Sequence, residues 1–264
     1  MNTKIAIELP EPIARFLGKA RLIPTTVGES PCPVYRFKRG NDSFFLKMCS
    51  RVYSPTTFSV RREADVLGWL SGQLNVPEVV GVAESSEGEF MITRSVPGQP
   101  LYQRIDAQQP VLHLFQEALA QLQALPITTC PFDGGVAFRL KELEYLLANG
   151  LLAEEYDLHQ WPDVEANNPQ EFVAHLFATQ PTEELVFAHG DLTDSNLFVD
   201  AQDRLYFIDW GRGGVADRWM DRALVYHNLL EEVSPTQADA FLAELGEADN
   251  PRKRVFYEQL DELF

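Results

Sequence analysis

The chain has 264 residues, 45% of them apolar, and a formal net charge of −17. That length suits one large domain or two lobes with a shared cleft, and such acidity excludes nucleic acid, whose phosphates call for a basic surface. Cys32, Cys49 and Cys130 are odd in number and lack CxxC spacing, so they read as reduced thiols of a cytoplasmic protein. No run approaches the ~20 apolar residues that span a bilayer, and Met1 to Ala20 has no secretory hydrophobic segment.

In chain order, Val27-Gly28-Glu29-Ser30-Pro31-Cys32 reads as a loop whose Ser30 and backbone N–H groups suit phosphate oxygens, although it is not GxGxxG. Ser43 to Cys49 reads as a strand, and alternation puts Phe45 and Lys47 on one face. An aromatic ring beside an ammonium suits adenine and its phosphates; a surface lysine with its head in water is the alternative. A helix is expected from an N-cap at Ser54-Pro55, with Val60, Ala64, Leu67, Leu70 and Leu74 as its apolar stripe. Measured from Val60, Leu70 lies at about 280° and Leu74 at about 320°, with Glu63 between them at about 300°. A carboxylate on a buried stripe needs a partner, and Lys47 is the obvious one. Arg61 and Arg62 point elsewhere. Glu89 to Thr93 reads as a strand ended by Pro97-Gly98; the linker from Arg94 to Val96 either offers its backbone to an adenine edge or is an ordinary strand-to-helix loop.

His189-Gly190-Asp191-Leu192-Thr193-Asp194-Ser195-Asn196 carries the strongest signal, with Asp209 thirteen residues past the asparagine. Leu197-Phe198-Val199 and Leu205-Tyr206-Phe207-Ile208 read as a hairpin turning at Asp200 to Asp203. Pairing Val199 with Tyr206 sets Asn196 opposite Asp209, and strands lie ~5 Å apart, so both side chains reach one cation. Asp191 sits on the loop that feeds the hairpin. This is how a kinase presents a catalytic aspartate, a metal-binding asparagine and a metal-binding aspartate. Asp194 reads as a hydrogen-bonder shaping that loop. Charge follows the same division: residues 1–98 hold 12 basic and 10 acidic residues, and 99–264 hold 10 and 29, balances of +2 and −19. A near-neutral part suits a nucleotide, and an acidic part suits a polycation. Asn250-Pro251 to Phe264 reads as a capped helix with Glu258, Asp261 and Glu262 along one side.

The chain resembles the aminoglycoside 3′-phosphotransferases, bacterial resistance enzymes with a protein-kinase-like fold. The likeness runs through SPCPVYRF, FFLKM, VRREADVLGWL, CPFD at 130–133, LVFAHGDLTDSNLFVD, FIDWGRGGVADRW and the terminal LDELF. It implies a two-lobed α+β fold, with a small β-rich lobe over 1–98, a hinge near 94–98, and a mostly helical lobe over 99–264. It implies Asp191 as the group that orients the drug hydroxyl and accepts its proton, and Asn196 and Asp209 as magnesium ligands. Lys47 with Glu63 would hold the α- and β-phosphates, Ser30 the covering loop, Phe45 the adenine ring, and Arg94 and Val96 the hinge. Arg212, Glu231, Asp261, Glu262 and Phe264 match positions lining the drug pocket. The 150–165 loop matches poorly, so Asp157, Glu155 and Asp163 are candidates by character alone. Trp210 and His227 depart from the usual residues. The expected partners are ATP, with GTP as the alternative, Mg2+ and a polycationic aminoglycoside, without nucleic acid or membrane, in a monomer or weak dimer. Rival readings are a kinase of choline, homoserine, a fructosamine or a macrolide on the same fold, a silent nucleotide-binding module, and a protein kinase, which the absence of an APE segment disfavours.

Overall fold

The computed structural model describes residues 8–25, 30–153, 156–161 and 164–264. Val27, Gly28 and Glu29 of the proposed phosphate loop, and the acidic candidates Glu155 and Asp163, lie outside them. The chain divides into two compact units. One is Met1–Gln99 with Leu197–Arg212; the other is Pro100–Asn196 with Gly213–Phe264.

The first unit begins with helix α1 (Glu11–Leu17) and strands β1 (Ile23–Pro24), β2 (Val34–Arg39) and β3 (Asp42–Ser50). Helix α2 (Val60–Leu70) and strands β4 (Val79–Glu84) and β5 (Gly88–Arg94) follow. The strands form an antiparallel sheet in the order β1-β2-β3-β5-β4. Alternation along β3 sends Phe44, Leu46 and Met48 into a core shared with Ile13, Phe37, Phe90 and Ile92. Phe45 and Lys47 take the other, half-buried face. Each large apolar side chain so buried contributes roughly 1.5–3 kcal/mol.

Helix α2 starts later than the expected cap at Ser54-Pro55. Residues Arg51–Tyr53 form a 3-10 turn, and the cap is Ser59, whose Oγ accepts the Arg62 N–H at 3.1 Å. The Ser59 hydroxyl also donates to Glu89 Oε2 at 2.7 Å, and that buried carboxylate accepts the Arg61 N–H at 3.2 Å. An acid at a helix N-terminus complements its dipole. Leu74 lies beyond the helix end.

The chain continues through the two-residue β6 (Gln99–Pro100), α3 (Tyr102–Asp106), α4 (Leu112–Gln123), α5 (Val136–Asn149), α6 (Pro169–Thr179) and β7 (Leu185–Ala188). A hairpin of β8 (Leu197–Val199) and β9 (Leu205–Phe207) follows, then β10 (Gly214–Asp217), α7 (Arg218–Glu232), α8 (Pro235–Glu244) and α9 (Pro251–Asp261). The hairpin register differs by one residue from the expected Val199–Tyr206 pair: Val199 faces Leu205, and Phe198 faces Tyr206. The cause is the turn, in which Asp200 Oδ1 accepts the N–H groups of Gln202 and Arg204, and Asp203 is left-handed at φ 58°. Five residues cross between the strands instead of six. Strand pairing therefore does not by itself set Asn196 opposite Asp209.

The hairpin groups with the first unit. Asn75 fastens it: its side chain donates to Leu205 O, and its carbonyl accepts the Phe207 N–H, both at 2.9 Å. In the helical unit, β7 pairs antiparallel with β10, and α7 packs on α8 and α9. Lys253 pins α9 by ion pairs to Asp217 at 2.7 Å and Glu184 at 3.0 Å. Asn250 caps α9 as expected, although the helix ends at Asp261. The architecture is mixed α+β, with a sheet-rich N-terminal region and a helical C-terminal one.

Candidate active site

In the sheet-rich unit, the Lys47 ammonium lies 2.8 Å from Glu63 and 2.7 Å from Asp209, with its side chain 12% exposed. The periodicity argument for the Lys47–Glu63 pair thus holds in the structure. Burial works to lower the Lys47 pKa, but Asp209 and then Glu63 outweigh it, so the lysine is held above its ordinary value. Glu63 is buried and accepts the Trp210 backbone N–H as well. Such a cation, fixed between two carboxylates on a strand, is built to meet anionic oxygen.

Asp209 has a left-handed backbone, φ 60°, which costs a non-glycine residue on the order of 1–2 kcal/mol. Its neighbours hold it there. Trp210 is fully buried and donates its indole N–H to Phe207 O at 3.1 Å, so this departure from the family pattern is a packing residue. Gly211 must be glycine because a Cβ there would meet the Thr57 carbonyl oxygen at 2.2 Å. Its own carbonyl accepts the Arg62 Nε–H at 2.9 Å. Sequence reasoning had turned Arg62 away from the site.

In the helical unit, Asp191 follows Gly190, which takes φ 78°, a value open to glycine without strain. Asp221 on α7 grips this turn: its two carboxylate oxygens accept the N–H groups of His189 and Gly190, both at 2.8 Å. Burial pushes the Asp221 carboxyl up, against the pull of His189 and the two N–H groups. Asp221 escaped the sequence analysis, although a carboxylate among Met220, Ala223 and Leu224 was the same signal that identified Glu63. Asn196 donates its amide to the Asp191 carbonyl and to Asp191 Oδ2, both at 2.9 Å. At Asp194 the backbone N–H meets Asn228 Oδ1 at 3.1 Å and the carbonyl accepts the Tyr102 N–H at 3.3 Å, while the carboxylate, its pKa raised by burial, accepts the Ser195 hydroxyl at 3.4 Å.

The remaining nucleotide candidates are arranged as follows. Phe45 stands half-buried beside Lys47's face of β3. Ser30 Oγ accepts the Cys32 N–H at 3.2 Å, a local turn. The Arg94 side chain is exposed and paired with Asp42 and Glu78, and its N–H is engaged with Glu78 O at 2.9 Å. The Val96 carbonyl accepts the Ser95 hydroxyl at 3.3 Å.

Among the pocket candidates, Arg212 is half-buried at the end of the first unit. Glu231 is exposed and 3.2 Å from His227, one helical turn back on α7. Asp157 caps a short 3-10 turn through His159, and Glu262 accepts both the Asp157 N–H and the Gln160 side-chain amide. Phe264 lays its ring 3.8 Å from the buried Arg139 guanidinium, and Asp261 closes α9. Glu258 is mostly buried beside Arg254, at 3.7 Å, and burial raises its carboxyl. The structure brings Asp157 and Glu262 into contact; Glu231 pairs with His227 instead.

Among the described residues, no group of three or more His, Cys, Asp or Glu side chains is placed to hold a metal unaided. Magnesium in phosphoryl transfer takes one or two carboxylates and otherwise water and phosphate. In the first unit the Asp209 side chain is 40% exposed; in the second, Asn196 commits its amide nitrogen to Asp191, so its oxygen is the atom that would meet a cation. No described helix is long and apolar enough to cross a membrane.

Residues 28–257 match the phosphotransferase enzyme family. An aminoglycoside 3′-phosphotransferase of Acinetobacter baumannii is 40% identical over 97% of this chain and 100% of its own. One from Enterococcus faecalis is 34% identical over 96% and 97%. A crystal structure of a type VIII aminoglycoside 3′-phosphotransferase superposes with a TM-score of 0.81 at 29% identity, covering 96% of this chain and 97% of that one. The chain belongs to the phosphotransferase enzyme family, among its aminoglycoside 3′-phosphotransferases.

Proposed function

We propose that the protein transfers the γ-phosphoryl group of ATP to a hydroxyl of an aminoglycoside, the 3′ one, and so confers resistance to the drug. The observation that carries this reading is Lys47, buried and charged between Glu63 and Asp209, in a chain 40% identical to a 3′-phosphotransferase. In this assignment Lys47 meets the α- and β-phosphates, oriented by Glu63. Ser30 belongs to the phosphate-covering loop, Phe45 stacks on adenine, and the backbone near Val96 bonds its edge. The Arg94 N–H, engaged with Glu78, is the weaker hinge donor. Asp209 and Asn196 are the protein's oxygen ligands for magnesium, which neutralises charge on the phosphates. The transition state of phosphoryl transfer is loose, so Asp191 contributes by orienting the hydroxyl more than by strong base catalysis.

Arg212, Glu231, Asp261 and Phe264 are assigned to the drug, with Glu262 and Asp157 shaping its pocket. The acidic surplus of residues 99–264 suits a polyamine and disfavours homoserine or a macrolide. We place the enzyme in the cytoplasm as a monomer or weak dimer. A coupled ADP-release assay tests the proposal, run with ATP and GTP across aminoglycosides with and without a 3′-hydroxyl. Turnover is expected only where that hydroxyl is present, with 3′-deoxy drugs acting as inhibitors. Phosphate found on a 2″-hydroxyl by NMR of the product, or turnover of choline or homoserine in place of the drugs, overturns it.

A further inference from the structure

Two adjacent residues of α2 reach the same short stretch of chain from different sides. Glu63 binds Lys47 and accepts the Trp210 N–H. Arg62, one residue earlier, donates its Nε–H to Gly211 O at 2.9 Å. Thr57, just ahead of the helix, presses its carbonyl oxygen so close to Gly211 that no Cβ fits. Asp209, inside this grip, holds a left-handed backbone, φ 60°, which aspartate tolerates better than most residues but still at a cost. Its carboxylate direction therefore depends on how the 209–211 turn is anchored.

We infer that Arg62 is a positioning residue: by fixing the Gly211 carbonyl it holds the 209–211 turn, and with it the Asp209 carboxylate, in the orientation that receives the nucleotide's magnesium. The inference rests on the assignment of Asp209 as a magnesium ligand. Arg62 touches neither metal nor nucleotide in this scheme. It acts through the turn that carries the ligand, one step beyond the groups bonded to a ligand itself, whose loss costs about 10–100-fold in metal affinity. Because Arg62 and Glu63 are consecutive on a rigid helix, α2 cannot move without disturbing the phosphate-binding lysine and the metal-binding carboxylate together. Lysine at 62 has the reach and one donor, but not the planar fork that lies against a carbonyl.

The test is a calorimetric titration of the full-length protein with a non-hydrolysable ATP analogue, in the presence of Mg2+ and in EDTA. Arg62→Ala is expected to lose about 10-fold or more of the affinity gained from Mg2+, with affinity in EDTA unchanged because Lys47 and Glu63 remain. Arg62→Lys should restore part of the gain. Arg61→Ala, which removes an exposed side chain paired with Asp65 one turn on, should behave as the parent. If Arg62→Ala does not fold, Arg62→Met keeps the packing of the stem, removes the donor, and carries the same expectations. Asp209→Asn is measured in parallel. If Asp209→Asn abolishes the Mg2+ gain and the Arg62 variants keep it, the positioning role is overturned while the magnesium assignment stands. If Asp209→Asn keeps the gain, the magnesium assignment fails first and the inference falls with it. Equal losses in Mg2+ and EDTA also overturn it, since they would mean a general disturbance of the nucleotide site.

Discussion

Asp221 is the residue on which the geometry around Asp191 makes its sharpest demand. Its side chain is buried, and its two oxygens each accept one buried N–H, from His189 and Gly190, at 2.8 Å. Replacing it by alanine leaves both donors without their acceptor. An unsatisfied buried group costs about 1–3 kcal/mol, and water entering the space left by the carboxylate recovers part of that. A net loss of about 2–4 kcal/mol follows, a large share of the 5–15 kcal/mol that holds a typical protein folded. At roughly 2–4 °C per kcal/mol for chains of this size, Asp221→Ala should melt about 5–15 °C lower. Asp221→Asn keeps one oxygen but turns an amide N–H toward a backbone N–H, so its loss should be smaller but clear.

The same bonds hold Gly190 at φ 78° immediately before Asp191. Displacing a catalytic group by about 1 Å can cost 10²-fold, so the kcat of both variants should fall by about that factor even well below their melting temperatures. Differential scanning calorimetry and steady-state kinetics at 20 °C check the two halves independently. A melting temperature within about 1 °C of the parent for Asp221→Ala, together with kcat within twofold, would show that the loop holds its shape without this anchor.

Asp191→Asn, which leaves its carbonyl and one side-chain oxygen for Asn196, should lower kcat by ~10²-fold or more while nucleotide affinity stays near the parent value, as read by calorimetry. Gly211→Ala forces a methyl to within 2.2 Å of the Thr57 oxygen, so the 209–211 turn must shift. A drop of several degrees in melting temperature and a weaker Mg2+ dependence are expected, and an unchanged melt would refute the close approach. Burial raises the Glu258 carboxyl, which lies 3.7 Å from Arg254, so as pH falls the folded protein takes up this proton before the unfolded chain does. The group's contribution to stability should therefore grow as the buffer becomes mildly acidic, and Glu258→Gln should flatten that part of the melting-temperature profile, as read by calorimetry.

What the sequence reveals here depends on how far a residue acts. Lys47 and Glu63 were legible because each breaks the local period of its own element: a cation in an apolar strand and a carboxylate inside an apolar stripe. The Asp191–Asn196 spacing lies within one loop and was equally open to reading. The hairpin was found but slipped by one residue, because its register is set by the hydrogen bonds of Asp200 inside the turn, which no hydrophobic pattern records. The start of α2 was misplaced for a related reason: Ser54-Pro55 carries the usual cap signal, yet Ser59 wins by sharing Glu89 from a strand thirty residues later. Arg62 shows the limit of periodicity most clearly. The angle around the helix gives the direction of its Cβ, whereas its guanidinium ends on a carbonyl 149 residues down the chain.

The acidic C-terminus needs the same distinction between having a charge and having it available. The family resemblance implies that Asp261, Glu262 and Phe264 line the drug pocket, and the acidic surplus of residues 99–264 suits the drug's ammonium groups. In the structure, Glu262 is occupied by the Asp157 N–H and the Gln160 amide, Leu263 is fully buried, and Phe264 rests on Arg139. Deleting residues 261–264 would then remove a brace and a core side chain along with the charges, and a raised drug KM would not say which mattered. Point variants separate the two. Asp261→Asn should raise the drug KM by an amount that shrinks as salt is added, since ionic strength screens the charge of this half-buried carboxylate over ~10 Å. Glu262→Ala should raise it by an amount that salt barely changes, because the loss is of two hydrogen bonds holding the 157–160 turn. Limited proteolysis should cut that turn faster in Glu262→Ala than in Asp261→Asn. If the two variants lose the same salt-sensitive share and the turn is cut no faster, Glu262 meets the drug directly and its contacts with Asp157 and Gln160 give way when the drug binds.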